Sequence, residues 1–277
     1  MPSKNLLLKP VLKWVGGKRQ LLDDILPLIP PSPTLYVEPF LGGGAVLLAS
    51  QPQKARVNDY NAELINAYTV IRDQPDELIA LLKKHSENNT SDYYYKIRAL
   101  DRSESFLSTD VVTRAARIIY LNKTCFNGLY RVNSSGQVNS PYGRYKKPNI
   151  INEAGIRALS NYLQGDIELM CGDYSLALRN LPTGAFVYLD PPYMPLNQTS
   201  SFTGYTEGGF SYDEQVRLRD ECLALKEQGI HFIQSNSDCS SIRELYKDFD
   251  ITTVRAKRYI NSKVTGRGAV NEVLIRG

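Results

Sequence analysis

The sequence predicts an α/β fold, in which a mostly parallel sheet is interrupted by a helical segment. A strand, a glycine-rich turn, a helix and a second strand follow one another within residues 34–59. The periodicity is then helical as far as residue 124, and strands alternate with helices again from about residue 153. We therefore predict a sheet domain formed by residues 1–61 and 151–277, and an inserted, mostly helical domain with a β-hairpin at residues 62–150.

The first strand–helix–strand unit lies near the N-terminus. Thr34 to Val37 is predicted to be a buried strand, and it leads through Glu38 into the turn Gly42-Gly43-Gly44. A helix from Ala45 to Ser50 and a strand from Ala55 to Asn58 follow. Such a unit is typical of the start of a parallel sheet.

The middle of the chain has a different pattern. Its first apolar stripe at helical spacing consists of Leu64, Ile65, Tyr68 and Ile71. Tyr130 to Val138 predicts a hairpin around Ser135-Gly136, because serine and glycine favour tight turns. Basic and aromatic residues then crowd positions 142–147.

The second half returns to alternating strands and helices. Strands are predicted at Ile167–Met170, Ala185–Leu189 and His231–Gln234, and residues 251–255 and 270–275 predict a terminal antiparallel hairpin. The run Ala185–Leu189 is almost entirely apolar, as a central parallel strand should be. A helix is predicted from Ser211 to Gln228, with Ser211 as N-cap and Glu214 three residues later.

Composition limits the classes of function. With 277 residues, 42% of them hydrophobic, the chain can bury a sizeable core. It has neither the ~18 consecutive apolar residues of a membrane span nor a signal-peptide pattern, so we expect a cytoplasmic protein. Four dispersed cysteines and two histidines, none at metal-ligand spacing, predict reduced thiols and no metal site. The net charge of +4 permits a polyanionic partner.

Acidic residues follow three of the predicted strands, namely Glu38, Asp59 and Asp190. Ligands of open α/β sheets bind beyond the carboxyl ends of the strands. A carboxylate after the second strand can accept both ribose hydroxyls of a nucleoside, so Asp59 favours a nucleoside cofactor. Dinucleotide-binding and P-loop patterns are excluded, because Leu47 replaces the third glycine and Arg19 follows Gly17-Lys18.

The tetrad Asp190-Pro191-Pro192-Tyr193 is the most specific motif. Two prolines directly after a buried strand end it and stiffen the turn. They leave a carboxylate, a backbone carbonyl and an aromatic ring in a fixed array. A purely structural turn is the alternative, and it is disfavoured because the tetrad ends the most apolar strand of the chain.

These motifs together resemble the Dam-type (D12 class) N6-adenine DNA methyltransferases over nearly the whole chain. The matching segments are residues 12–18 (LKWVGGK), 37–44 (VEPFLGGG), 58–61 (NDYN), 127–131 (NGLYR), 141–148 (PYGRYKKP), 190–193 (DPPY) and 235–238 (SNSD). The resemblance implies a Rossmann-like class I methyltransferase sheet, S-adenosylmethionine as methyl donor and double-stranded DNA as partner. The inserted segment would then recognise the DNA target.

The resemblance also implies residue roles. The implied cofactor-binding residues are Trp14, Lys18, Glu38, Pro39, Phe40, Gly42, Gly44, Asp59, Asp173 and Asp190. Lys18 would bind the methionine carboxylate, and Asp173 would lie near the cofactor's adenine. The implied catalytic residues are Asp190, Pro191, Pro192 and Tyr193. The Asp190 carboxylate and the Pro191 carbonyl would accept the two N–H groups of the target amine, while Tyr193 stacks on a base flipped out of the duplex.

Roles toward DNA follow in the same way. Tyr145 would insert into the base stack, and Asn127 would meet the orphaned base. Major-groove contacts are implied for Arg131 and Lys13, each with a guanine, and for Leu129 and Pro141, each with a thymine methyl. Phosphate contacts are expected from Arg144, Lys146, Lys147 and the loop from Lys257 to Arg267. Because these positions match members that act on GATC, we predict that target site.

Two alternative functions stay open at this point. The same kind of tetrad can methylate another planar amine, such as an RNA base or a protein glutamine. A DNA-binding protein without catalysis is the second alternative, and the intact set of Lys18, Asp59, Asp190 and Tyr193 argues against it.

Overall fold

The computed structural model describes residues 4–195, 210–257 and 269–277. Its strands form one seven-stranded sheet in the order β3-β2-β1-β4-β5-β7-β6. They are β1 (Tyr36–Glu38), β2 (Lys54–Asp59), β3 (Asp166–Cys171), β4 (Phe186–Leu189), β5 (His231–Ser237), β6 (Asp250–Lys257) and β7 (Ala269–Arg276). Strands β1 to β5 pair in parallel, whereas β7 is antiparallel to both β5 and β6. The predicted α/β fold with a Rossmann-like sheet is confirmed.

Helices cover both faces of this sheet. They are α1 (Leu22–Ile25), α2 (Ala45–Ser50), α3 (Ala62–Asp73), α4 (Pro75–Glu87), α5 (Ser91–Ala99), α6 (Val111–Thr124), α7 (Glu153–Leu163), α8 (Tyr212–Glu227) and α9 (Ser240–Leu245). Tyr36 and Tyr188 point into the core cluster shared with α3 and α7, while Val37 and Val187 point toward α8 and α9. This alternation follows from the two-residue period of a strand.

Helices α3 to α6 form the middle of the chain. Helix α6 packs against α3, α4 and α5, and α3 also packs against β2, β3 and α7. One continuous apolar cluster therefore joins these helices to the sheet. The division into a sheet domain and an inserted domain at residues 62–150 stays a prediction.

The predicted hairpin at 130–138 is present only as a turn closed by one antiparallel bridge, between Val132 and Val138. Two backbone hydrogen bonds flank this bridge, from the Asn133 N–H to the Gln137 carbonyl and from the Asn139 N–H to the Arg131 carbonyl. The ladder ends there, because the Arg131 N–H donates to Ser140 Oγ at 3.0 Å. The chain reverses at Gly136, which has φ +72°.

Helix α8 begins as predicted. Ser211 is its N-cap, and the Ser211 hydroxyl oxygen accepts from the Glu214 N–H at 3.3 Å. No helix in the part of the chain that the structure describes is long and apolar enough to cross a membrane. Of the four free cysteines, Cys125 and Cys222 are buried.

Candidate active site

Three acidic side chains meet at the carboxyl edge of the sheet, where β1 lies between β2 and β4 and the strand order reverses direction. Glu38 ends β1 and is only 2% exposed. Its burial raises the pKa of the Glu38 carboxyl to about 8, and the nearby charges of Asp190 and Asp59 contribute in the same direction. Glu38 Oε2 accepts a hydrogen bond from the Tyr36 hydroxyl at 2.7 Å. Glu38 therefore holds a proton at neutral pH.

The glycine-rich turn after β1 is packed against Trp14. Gly42 has φ +49°, and a Cβ placed there would come within 3.0 Å of Trp14 Cδ1. The backbone thus needs glycine both for its conformation and for its close approach to the indole ring. Trp14 also stacks on Tyr130 with ring centroids 5.5 Å apart, so the N-terminal segment, the turn and the segment after α6 meet here.

Asp59 ends β2 and is held by backbone groups. Its Oδ2 accepts from the Gly42 N–H and its Oδ1 from the Asn61 N–H, both at 2.9 Å. Burial raises the pKa of Asp59, and these hydrogen bonds oppose that shift. Each carboxylate oxygen has further lone-pair capacity, so the pair can also accept two hydroxyl groups.

An aromatic cluster flanks the same edge. The half-buried Phe40 ring lies 5.1 Å from the Tyr174 ring and 5.9 Å, edge to face, from the Phe210 ring. The preceding Pro39 carbonyl accepts from Asn58 Nδ2 at 3.0 Å, which fixes the backbone before Phe40. Such a cluster offers apolar surface to a planar ring system.

Asp173, which follows β3, is engaged by other side chains. Its carboxylate pairs with Arg217 at 2.6 Å and accepts from the Ser175 N–H and hydroxyl. The hydrogen bond from Arg217 is the main reason that the pKa of Asp173 falls to about 2. A role for Asp173 beside the cofactor's adenine stays a prediction, and much of its acceptor capacity is already used.

Asp190 is paired with Lys18 directly after β4. Lys18 is 6% exposed, and its Nζ lies 2.7 Å from Asp190 Oδ1 and donates to the Gly16 carbonyl at 2.7 Å. The Ser235 hydroxyl also donates to Asp190, at 2.9 Å. Burial raises the pKa of Asp190, and the charge of Lys18 opposes this. Lys18, expected to bind the methionine carboxylate, is thus in contact with the Asp190 carboxylate that is expected to accept from the target amine.

The rest of the tetrad is fixed by side chains from other elements. The Tyr193 hydroxyl donates to Glu272 Oε2 on β7 at 2.7 Å, and Lys18 Nζ lies 4.5 Å from the centroid of the Tyr193 ring. The Pro192 carbonyl accepts from Gln215 Nε2 at 2.9 Å. Pro191 is buried, and its carbonyl accepts no hydrogen bond from any residue in the described ranges.

The side chains predicted to contact DNA belong mainly to two segments that run side by side after α6. The Phe126 N–H donates to the Pro141 carbonyl and the Gly143 N–H to the Thr124 carbonyl, both at 2.8 Å. The exposed predicted residues are Lys13, Asn127, Arg131, Pro141, Arg144, Tyr145, Lys146 and Lys147. Leu129 is half-buried. The loop predicted to contact phosphates lies, from Arg258 to Arg267, outside the described residues.

Lys13 is anchored to the end of α6. The buried Asn122 side chain accepts from the Lys13 N–H at 2.8 Å and donates to the Lys13 carbonyl at 2.7 Å. Burial lowers the pKa of the neighbouring Lys123 to about 8, with smaller contributions from the charges of Lys13 and Arg19. This cationic group and the exposed Phe126 were not singled out by the sequence patterns.

Within the described parts of the chain, no three histidine, cysteine, aspartate or glutamate side chains cluster closely enough to hold a metal ion.

Comparison of the sequence with known proteins identifies the family of this chain. A model of the D12 class N6 adenine-specific DNA methyltransferases matches residues 14–260. The type II methyltransferase M1.LlaDCHI of Lactococcus lactis subsp. cremoris is 46% identical over 97% of this chain and 95% of its own length. M.MjaIII of Methanocaldococcus jannaschii is 40% identical, over 96% and 98%. The DNA adenine methylase of Escherichia coli K12 is 35% identical, over 95% and 93%. The chain therefore belongs to the D12 class of N6 adenine-specific DNA methyltransferases.

Proposed function

We propose that this methyltransferase takes its methyl group from S-adenosylmethionine and delivers it to N6 of an adenine flipped out of duplex DNA, within GATC. The observation that carries the proposal is the end of β4, where Lys18 Nζ contacts both the Asp190 carboxylate and the face of the Tyr193 ring. Between them, the Pro191 carbonyl accepts no hydrogen bond from the described residues. An enzyme with this substrate works in the cytoplasm, on the nucleoid. Residues 1–61 and 151–277 would carry the chemistry, and residues 62–150 would recognise the target.

The residues at the carboxyl edge fit the methyl donor. The Asp59 carboxylate has acceptor capacity for two ribose hydroxyls, and the cluster around Phe40 provides apolar surface for a purine. The glycine-rich turn, in which Gly42 packs closely against Trp14, places no side chains beside the Asp59 carboxylate and the Phe40 cluster. When bound, S-adenosylmethionine supplies an electrophilic methyl group on a sulfonium. The remaining proposed contacts are those of Lys18, Glu38, Pro39, Gly44, Asp173 and Asp190.

The tetrad prepares the acceptor nitrogen. The lone pair of an adenine amine is delocalised into the ring, which makes the amine a weak nucleophile. Hydrogen bonds from its two N–H groups to Asp190 and the Pro191 carbonyl favour a tetrahedral nitrogen with a localised lone pair. Tyr193 fixes the plane of the base, and the rigidity of Pro191 and Pro192 maintains the orientation. Positioning of this kind lowers a barrier by up to ~7–11 kcal/mol.

The target adenine would reach the tetrad by flipping out of the duplex. Unstacking costs a few kcal/mol, and a side chain that fills the gap reduces that cost. The exposed Tyr145 is proposed to insert, and Asn127 to meet the unpaired partner base. Arg144 and Lys146 would hold the flanking phosphates.

Target choice would come from the segments after α6. Arg131 and Lys13 are exposed and suited to the acceptors of guanine, and a bidentate arginine–guanine pair contributes ~1–3 kcal/mol of discrimination. Leu129 and Pro141 offer apolar contacts for thymine methyl groups. The match of these positions to family members acting on GATC favours that site.

The proposal is tested by incubating the protein and S-adenosylmethionine with matched duplexes that contain GATC or a scrambled sequence with the same base content. After digestion, N6-methyladenine is quantified by mass spectrometry. We expect product on the GATC duplex only. Product on both duplexes would contradict the specificity, and product on neither would contradict the transfer from this donor to duplex DNA.

A further inference from the structure

Gln215 on α8 connects β5 to residues 190–195, which are called the tetrad loop below. Its side chain is fully buried, and so is that of Asn236 on β5. Gln215 Nε2 donates to the Pro192 carbonyl at 2.9 Å, and Gln215 Oε1 accepts from Asn236 Nδ2 at 3.0 Å. Asn236 Oδ1 in turn accepts from the Met194 N–H at 3.2 Å. Two side-chain amides thus link the backbone on either side of Tyr193.

The direction of this hydrogen-bond relay is fixed by its ends. The Met194 N–H can only donate, so it requires the oxygen of Asn236 and leaves the Asn236 amide to donate onward. The Pro192 carbonyl can only accept, so it requires the amide nitrogen of Gln215. Each amide therefore has one satisfying orientation, and a residue that lacks either a donor or an acceptor breaks the relay.

A double-proline turn needs such support. Pro191 and Pro192 have no N–H groups, so their turn cannot be held by hydrogen bonds that they donate. Gln215 holds the Pro192 carbonyl, whereas the preceding Pro191 carbonyl accepts no hydrogen bond from the part of the chain that the structure describes. The Ser237 hydroxyl adds a second constraint, because it donates to the Met194 carbonyl at 2.7 Å.

We propose that Gln215 is a positioning residue for the methyl acceptor. By holding Pro192, it sets the direction of the Pro191 carbonyl relative to the Asp190 carboxylate, so that both meet the target amine together. This inference rests on the proposed function, in which those two groups accept the N–H groups of adenine. It predicts that a loss of Gln215 slows the chemical step and leaves the binding of cofactor and DNA unchanged.

Gln234 on β5 provides a matched control. It is fully buried like Gln215, and its Oε1 accepts a hydrogen bond from Cys222 Sγ at 3.4 Å. Among the described residues, the Gln234 side chain makes no hydrogen bond to residues 190–195. Gln234→Met therefore removes a buried amide of the same size from the same region without touching the tetrad loop.

The test compares wild type, Gln215→Met, Gln215→Leu and Gln234→Met. Both Gln215 variants replace the amide by an apolar side chain and remove both of its hydrogen bonds. The single-turnover rate constant is measured with saturating S-adenosylmethionine and duplex DNA, and dissociation constants and melting temperatures are measured in parallel. We expect both Gln215 variants to lose roughly 10- to 100-fold in rate. Both dissociation constants should stay within about twofold of wild type, and Gln234→Met should keep the wild-type rate.

Each other outcome is decisive. Wild-type rates in folded Gln215 variants would overturn the inference, as would equal rate losses in Gln215→Met and Gln234→Met. If Gln215→Met does not fold, Gln215→Leu carries the test, and a failure of both to fold would assign Gln215 a purely structural role. Absence of transfer by the wild type itself would contradict the proposed function rather than this inference.

Discussion

The burial and the pairing of the acidic residues at the carboxyl edge of the sheet do not follow from their positions in the sequence. Glu38, Asp59 and Asp190 were all singled out because they follow strands. The structure shows in addition that Glu38 is almost completely buried beside Tyr36, and that Asp190 is paired with Lys18. Long-range packing determines these states, so local sequence patterns cannot specify them.

Protonation of Glu38 should make the stability depend on pH. The pKa of Glu38 is about 8 in the folded protein, against an ordinary value of 4.5. The contribution of Glu38 to the free energy of unfolding is fully present below pH 4.5 and is lost as the pH rises to about 8. Between these two values the unfolded chain releases the Glu38 proton, whereas the folded protein retains it. Glu38→Gln removes this loss. We expect its melting temperature, relative to wild type, to rise between pH 5 and pH 8; calorimetry showing a constant difference would contradict this.

Lys18 should set the acid limit of activity. Its charge opposes the rise in the pKa of Asp190 that burial causes. Lys18→Gln therefore raises that pKa, and a larger fraction of Asp190 is protonated at a given acidic pH. We expect the acid limb of the single-turnover pH–rate profile, at saturating cofactor, to move to higher pH. The exposed Lys9→Gln is the control, and coincident profiles of Lys18→Gln and wild type would refute the role.

At the scale of elements, the strands were predicted well because apolar runs bounded by turn residues are local signals. β4 and α2 agree with their predicted ranges to within one residue. The hairpin of 130–138 was predicted less well, because the Arg131 N–H, which would extend its ladder, donates to Ser140 Oγ instead. The sequence also contains a feature that distinguishes Gln215. It is a polar residue on the same buried stripe of α8 as Leu218, Cys222 and Leu225.

Asp101 should stabilise the loop that carries Arg131. Its Oδ2 pairs at 2.7 Å with Arg117, which is 2% exposed, and accepts from the Val138 N–H at 2.7 Å. Asp101→Ala leaves a buried guanidinium without its carboxylate, which costs about 3–5 kcal/mol. We expect the free energy of unfolding in urea to fall by about that amount. The exposed Asp92→Ala should change it by less than about 0.5 kcal/mol, and equal effects of the two would contradict the role of Asp101.

At the scale of the molecule, the strand order explains how distant motifs form one site. β1 and β4 are adjacent and parallel, although about half of the chain separates them in sequence. Their carboxyl ends bring the glycine-rich turn next to the tetrad. Hydrophobic periodicity identifies strands but not their neighbours, so the local patterns did not predict this adjacency.

The central claim is that Asp190 and its tetrad perform the transfer. The most direct measurement is the single-turnover rate of methyl transfer to N6 of adenine by Asp190→Ala, with the dissociation constant for DNA measured in parallel. Asp166→Ala, an exposed aspartate at the opposite end of β3, is the control. We predict a loss of at least about 100-fold in rate for Asp190→Ala, with DNA binding retained and the control unaffected. A rate within a few fold of wild type, or a parallel loss of DNA binding, would contradict the account.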